Sequence, residues 1–164
     1  MKIGIISDSH DSHSGVLKAV EIFKEEKVDY ILHAGDIVSA FTARAFANVE
    51  NATFIAVFGN NDGEKLFLAS TIQSFGGQIH ENVLNIEIDG KKIFMTHIPS
   101  TIEDVIASGH YDLVIYGHTH IQDIRKAGNT LVINPGESTD WLTGKSSVVI
   151  LDLSDMHYRV VKIK

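Results

Sequence analysis

The sequence predicts an α/β fold of two mixed sheets packed face to face, with helices on the outer faces. Three observations carry this. Apolar runs at 2–7, 28–33 and 53–58 alternate with helical stretches, the pattern of a largely parallel sheet with right-handed crossovers. Beyond Gly76 and Gly77 the texture changes to closely spaced short strands, which need a second sheet to bury them. Each of the first three runs ends in a polar cluster: Asp8-Ser9-His10, Gly35-Asp36 and Gly59-Asn60-Asn61-Asp62. In open α/β sheets the ligand sits at the carboxyl ends of the strands, where these clusters fall.

Taken in order, strand 2–7 sets Ile3, Ile5 and Ile6 around a glycine, and β-branched side chains favour the pleated backbone. Over 14–27, Val16, Leu17, Val20 and Phe23 recur at helical spacing, with Glu21, Glu25 and Glu26 on the other face, so an amphipathic helix is predicted. Strand 28–33 stops at Ala34 and Gly35, and a short helix over 40–49, with Phe41 and Phe46 partly buried, leads to strand 53–58. No element is assigned between Gly63 and Gly76. Asp89-Gly90, flanked by alternating residues at 83–88 and 91–95, predicts a tight hairpin. A helix over 100–107 has Ser100 or Thr101 as cap and Glu103 and Asp104 in its first turn, where the helix dipole favours acids. The buried strand 112–116 delivers Gly117-His118-Thr119-His120, and further strands are predicted at 121–126, 130–133, 147–153 and 157–163. No linker or repeat divides residues 1–164, which read as one domain.

Composition narrows the chemistry. A 44% hydrophobic, 21% charged chain is that of a globular domain. A net charge of -7 offers no basic footprint for long nucleic acid, although bound cations could still attract a phosphate ester. The absence of cysteine excludes disulfides, zinc–thiolate sites, iron–sulfur clusters and thiol nucleophiles. With nine histidines, any metal site is one of imidazole and carboxylate. The N-terminal apolar run is too short for a signal segment, and no stretch approaches the roughly 18 apolar residues of a membrane span. A cytoplasmic protein with no membrane partner is expected.

Asp8, His10, Asp36, Asn60, His97, His118 and His120 all follow predicted strands directly. Seven oxygen and nitrogen donors exceed the needs of one tetrahedral zinc and suit two five- or six-coordinate ions that share a carboxylate. Singly each has a plainer explanation: Asp36 could cap a helix and Asn60 could hold a turn.

Together these motifs, Asp8-Ser9-His10, Gly35-Asp36, Gly59-Asn60, His97 after a strand and Gly117-His118-Thr119-His120, resemble the calcineurin-like metallophosphoesterases. The chain is similar throughout to the small single-domain phosphodiesterases of bacteria and archaea. The resemblance implies a four-layer α/β/β/α sandwich of two mixed sheets flanked by helices, and a dinuclear metal centre. Asp8, His10 and His120 would hold one ion and Asn60, His97 and His118 the other, with Asp36 between them. Hydroxide bridging the ions would attack a phosphodiester, and the cations would stabilise charge developing on the phosphoryl oxygens. Mn2+ or Ni2+ are the leading candidates, with Fe2+, Co2+, Zn2+ and Mg2+ also compatible with the donors.

Three positions depart from the family pattern. Many relatives have a histidine, followed by an acid, where this chain has Asn61 and Asp62; that histidine stabilises the transition state or protonates the leaving group. Asn61 and Asp62 are therefore the catalytic candidates here. An amide donates a hydrogen bond but transfers no proton near pH 7, so His13 and His33 become candidate proton donors. His97 is followed by Ile98 and Pro99 rather than by glycine and a further histidine. Glu137 stands after Asn134-Pro135-Gly136 where relatives often have serine, and an ordinary surface turn is expected there. Trp141 is expected on the core or at an oligomer contact, and His80, His110 and His157 are expected to be solvated.

The function these residues favour is hydrolysis of small phosphodiesters by a dinuclear metal-dependent enzyme. A phosphomonoesterase is the nearest alternative, with no Arg or Lys seen near the motifs to favour it. A non-catalytic scaffold is the other, since a retromer subunit resembles this fold with a drifted metal site. A nuclease acting on long chains is disfavoured by the charge. The long terminal strands leave an edge that a homodimer or higher homo-oligomer could pair.

Overall fold

The structure is a computed structural model and describes residues 1–163. Its first sheet holds β1 (Lys2–Ile6), β2 (Tyr30–His33), β3 (Thr53–Val57), β4 (Gln78–His80), β10 (Ser147–Asp152) and β11 (His157–Lys162). They lie in the order β11-β10-β1-β2-β3-β4. Strands β1 to β4 run parallel, while β10 and β11 add on antiparallel. The second sheet holds β5 (Val83–Ile88), β6 (Lys91–Thr96), β7 (Leu113–Ile115), β8 (Asp123–Ala127) and β9 (Thr130–Asn134), ordered β5-β6-β7-β9-β8. Its three central strands are parallel and both edges antiparallel.

Side-chain burial defines the layers. Alternate residues of a strand point to opposite faces, so each sheet has two faces to cover. Ile3, Ile5, Leu32, Ile55 and Val57 of the first sheet meet Ile93, Met95, Ile115 and Ile133 of the second in one apolar cluster between them. On the outer face of the first sheet, Ile6, Ile31, Phe54 and Ala56 pack under α1 (His13–Glu26), α2 (Ala40–Ala43) and α3 (Lys65–Ser74). On the outer face of the second, Phe94, Val114 and Val132 pack under Ile102 of α4 (Ile102–Ala107). This is the four-layer α/β/β/α sandwich.

Several elements differ from expectation in instructive ways. α1 buries Val16, Ala19, Val20 and Phe23, whereas Leu17 lies 40% exposed. The helix predicted over 40–49 is α2, capped by the Ser39 hydroxyl accepting from Thr42 N–H, followed by a 3-10 turn Arg44–Asn48. Phe46 is buried in the core and Phe41 is exposed. α4 is entered through a 3-10 turn Pro99–Thr101, and neither Ser100 nor Thr101 makes a side-chain cap. α3 fills the stretch left unassigned, and β4, also not predicted, follows it. α3 buries only Leu68, Thr71 and Ile72, while Leu66 and Phe67 face out, so its apolar residues form no stripe. His80 ends β4 half-buried, with a buried Nε2 that has no hydrogen-bond partner, and is not solvated as expected; His110 and His157 are exposed. The hairpin turn has both Asp89 and Gly90 at positive φ, as a two-residue turn of this hand requires.

Candidate metal centre

The tips of β1, β2 and β3 in one sheet and of β6 and β7 in the other converge at one end of the sandwich. Asp8 and His10 follow β1, Asp36 follows β2 and Asn60 follows β3. His97 follows β6, and His118 and His120 follow β7. All seven expected ligands therefore come from strand ends, and both sheets contribute.

Backbone conformation sets their aim. Asp8, His10, Asp36, His118 and His120 all have positive φ, between 44° and 71°. Non-glycine residues rarely adopt that region, and such strain collects where surrounding structure over-determines a functional geometry. The motif glycines make room for it. A Cβ on Gly59 would run into the Asp36 carboxylate and backbone nitrogen, and one on Gly117 into the Ser7 hydroxyl. Asn134 is fully buried, and its amide donates to the carbonyl of Gly117 at 3.1 Å and to Thr119 Oγ1 at 2.9 Å, so the Asn-Pro-Gly turn anchors the loop that carries both histidines.

Two groups of donors result. One ligand atom each from Asp8, His10 and His120 lies within 4.8 Å of the others, and the same holds for Asp8, Asp36 and His97. His120 Nε2 is 3.3 Å from Asp8 Oδ1 and 3.5 Å from His10 Nε2. Asp36 Oδ2 stands between the groups, 4.0 Å from His10 Nε2 and 3.4 Å from His97 Nε2. Asn60 Oδ1 lies 3.0 Å from His97 Nε2 and 2.8 Å from His118 Nδ1. Oxygen and nitrogen donors gathered at these distances, around carboxylates sealed from solvent, form groups that could hold cations. The donors are oxygen and imidazole nitrogen, matching borderline or hard divalent ions.

The surrounding hydrogen bonds choose tautomers. His97 Nδ1 donates to Ala34 carbonyl at 2.8 Å, so Nε2 is the nitrogen turned to Asp36: it gives Asp36 a hydrogen bond when the imidazole is protonated and offers a lone pair when it is neutral. His120 Nδ1 is 3.0 Å from Glu137 Oε2. A carboxylate only accepts, so Nδ1 carries the proton and Nε2 faces the cluster. Charge balance is uneven across the site. Burial pushes the Asp8 carboxyl up, and hydrogen bonds and nearby histidines do not offset it. Burial acts the same way on Asp36, but hydrogen bonds from His97 and Asn61 overcome it and hold that carboxyl well below the usual range. His97 is raised: burial opposes its charge, and the Asp36 contact prevails.

The remaining site residues need revising. Asn61 is at the site, but its side chain is committed to Asp36: Nδ2 donates to Oδ2 at 2.7 Å and its backbone N–H to Oδ1 at 2.8 Å. Asp62, expected to be catalytic, is 4% exposed and spends its carboxylate on three backbone N–H groups, of Asp36, Val38 and Gly59. It ties the β2 and β3 loops together and faces no open space. His33 is fully buried, taking the Gly35 N–H on Nδ1 and lying 2.8 Å from Ser9 Oγ. Burial, then the nearby His97, lowers its pKa to about 3, so it is neutral near pH 7 and is no proton donor. His13 opens α1 in an exposed position, with no side-chain contact to the cluster among the described residues.

Sequence reasoning missed Glu137. It is 1% exposed, not on a surface turn. Besides His120 it accepts from Thr139 Oγ1, from Leu142 N–H, and from the backbone and hydroxyl of Thr143. Burial alone would raise its carboxyl; these donors instead hold it at about 2. The loop after β9 is thus wrapped around a carboxylate that orients the His120 imidazole. Trp141, carried by this loop, is not on the core, the first of its two expected places. It is 57% exposed, and its ring centroid lies 6.0 Å from that of His10.

The fold and this donor set are those of a metallophosphoesterase. Residues 1–156 match the calcineurin-like phosphoesterase superfamily domain, and the chain belongs to that family. Phosphodiesterase MJ0936 of Methanocaldococcus jannaschii is 43% identical over 167 residues, covering 100% of both chains. The solved structure of an archaeal phosphodiesterase matches with a TM-score of 0.93 and 43% identity over 99% of each chain. Yfce, a phosphoesterase from E. coli, has the same fold at a TM-score of 0.71 and 21% identity, with 100% of each chain covered. Among the described residues no helix is long and apolar enough to cross a membrane.

Proposed function

We propose that this chain is a dinuclear metal-dependent phosphodiesterase acting on small diesters. The observation that carries the proposal is the pair of donor groups sharing Asp8, with Asp36 between His10 and His97. Asp8, His10 and His120 would hold one divalent cation and Asn60, His97 and His118 the other, Asp36 bridging; Mn2+ and Ni2+ lead the candidates. When bound, two such cations would supply a water acidic enough to attack at neutral pH and would neutralise charge on the phosphoryl oxygens. In the overall reaction a P–O bond forms to the water oxygen, the P–O bond to the leaving alkoxide breaks, and a proton passes to the departing oxygen. The chain's own residues set this up. Glu137 and Ala34 fix which nitrogens of His120 and His97 face inward, and Asn61 holds the Asp36 carboxylate by two hydrogen bonds.

Diesters are favoured by what borders the cluster. Among the described residues, no Arg or Lys is a hydrogen-bond or ion-pair partner of the seven ligands, so no cation is held against the cluster to match the extra charge of a monoester. The nearest ones, such as Lys65 beside Asn60 and His97, only line the clefts that reach it. The monoester reading draws on Lys145 and Lys162, which line a cavity of about 650 Å³ reaching His120. Relatedness to a phosphodiesterase at 43% identity supports the first reading. The test is hydrolysis of an aryl phosphodiester and the matching monoester by chelator-stripped protein, with Mn2+, Ni2+, Co2+, Mg2+ and Zn2+ restored in turn. Metal-restored activity favouring the diester is expected. Preference for the monoester would transfer the assignment, and inactivity in protein that binds two ions would point to a scaffold.

A further inference from the structure

We propose that Trp141 is the stacking surface for an aromatic base on the diester, so that the substrate class is a short nucleoside-containing phosphodiester. The inference rests on the phosphodiesterase reading and concerns what lies just outside the cations. The His10 ring neighbours both the candidate ligand His120 and the exposed Trp141. His120 and His10 have centroids 5.3 Å apart and planes inclined by 30°; His10 and Trp141 are 6.0 Å apart and inclined by 33°. The indole therefore lies beside His10, itself one of the expected metal ligands, on the rim of the donor cluster.

Two features separate this indole from an incidental surface residue. More than half of it is exposed, although a large aromatic ring gains from burial. Its loop is nonetheless fixed: the buried Glu137 carboxylate gathers Thr139, Leu142 and Thr143 on both sides of it, and Trp141 N–H donates to Thr139 Oγ1 at 3.4 Å. Asp140, just before it, is held at a φ of 72°. A rigid, uncovered aromatic face beside a phosphate site is what a flat base binds with little ordering cost. The acidic chain offers nothing for a long phosphate backbone, which limits the occupant to one or two nucleosides.

Trp141 is the sole tryptophan, so its emission reports the contact directly. The experiment titrates Mn2+-loaded protein with adenylyl-(3′,5′)-adenosine and with dimethyl phosphate, following tryptophan emission, and measures hydrolysis of the dinucleotide separately. Saturable quenching by the dinucleotide and none by dimethyl phosphate is expected. Trp141→Ala should raise the KM for the dinucleotide about 10-fold, with Trp141→Phe recovering most of the loss and both variants still binding two ions. Unchanged emission at saturating dinucleotide, or an unchanged KM in Trp141→Ala, overturns the proposal. Quenching without hydrolysis of any diester would leave the stacking surface standing and remove the hydrolytic reading; hydrolysis without quenching would do the reverse.

Discussion

Replacing Glu137 tests whether a buried carboxylate, rather than the ligands alone, builds the metal centre. Glu137→Gln keeps size and one acceptor oxygen but removes the charge that accepts from His120 Nδ1 at 3.0 Å. With an amide there, the imidazole is free to carry its proton on Nε2, the nitrogen 3.3 Å from Asp8 Oδ1 that a cation needs. Loss of such an orienting partner costs about 10- to 100-fold in metal affinity, or roughly 1.4–2.7 kcal/mol. Glu137→Ala also strips acceptors from Thr139, Leu142 and Thr143; because that loop can open to water, the stability cost should stay near 2–4 kcal/mol. Calorimetric titration of stripped protein with Mn2+ separates the effects. One of two sites weakens in Glu137→Gln, the other is unchanged, and the urea midpoint moves little. Two unchanged sites in Glu137→Gln would refute the reasoning, since His120 would then need no partner to present Nε2.

Asp36→Asn should lower activity further than His10→Asn, because Asp36 Oδ2 faces both donor groups; metal stoichiometry and rate show this, and full occupancy with a full rate in Asp36→Asn would remove the bridging role. Asn61→His should raise turnover of an alkyl diester about 10-fold or more and that of an aryl diester far less, since only a poor leaving group needs the added proton; equal effects on both would sink the idea. Stability should also fall on acidification through His33. The folded imidazole stays neutral down to about 3 while the unfolded one protonates near 6.5, so its contribution is complete above pH 6.5 and is lost toward pH 3. The loss approaches about 1.4 kcal/mol per pH unit, and urea melts should show a flatter pH slope in His33→Gln.

The convergence of the candidate donors was legible because each is pinned to the end of a strand that announces itself by its apolar run, and because glycine marks where backbone meets carboxylate. Asp8, Asp36 and His97 are examples. What escaped depends on contacts made far along the chain. Glu137 reads as a solvated charge beside a turn, and only the approach of His120, 17 residues earlier, makes it an interior group. Asp62 looks like a catalytic acid for the same reason in reverse: the donors that consume it include Asp36 and Val38, on another strand's loop. α3 was unreadable because Leu66 and Phe67 face outward, which breaks helical periodicity. The departure from serine at position 137 was the one available signal, and its meaning lay in Thr139 and Thr143, whose hydroxyls stand ready to solvate an anion.

Each donor group draws from both sheets: Asp8 and His10 with His120, and Asp8 and Asp36 with His97. The spacing within each donor group is therefore a readout of how one sheet is seated on the other. A side chain such as Met95 or Ile5, deep between the layers and remote from any substrate, acts as a shim under one half of the centre. Displacement of reacting groups by about 1 Å can cost 100-fold in rate. The apolar interior is thus the alignment bench of the site, and methyl groups that touch no donor help set the gap between the two donor groups.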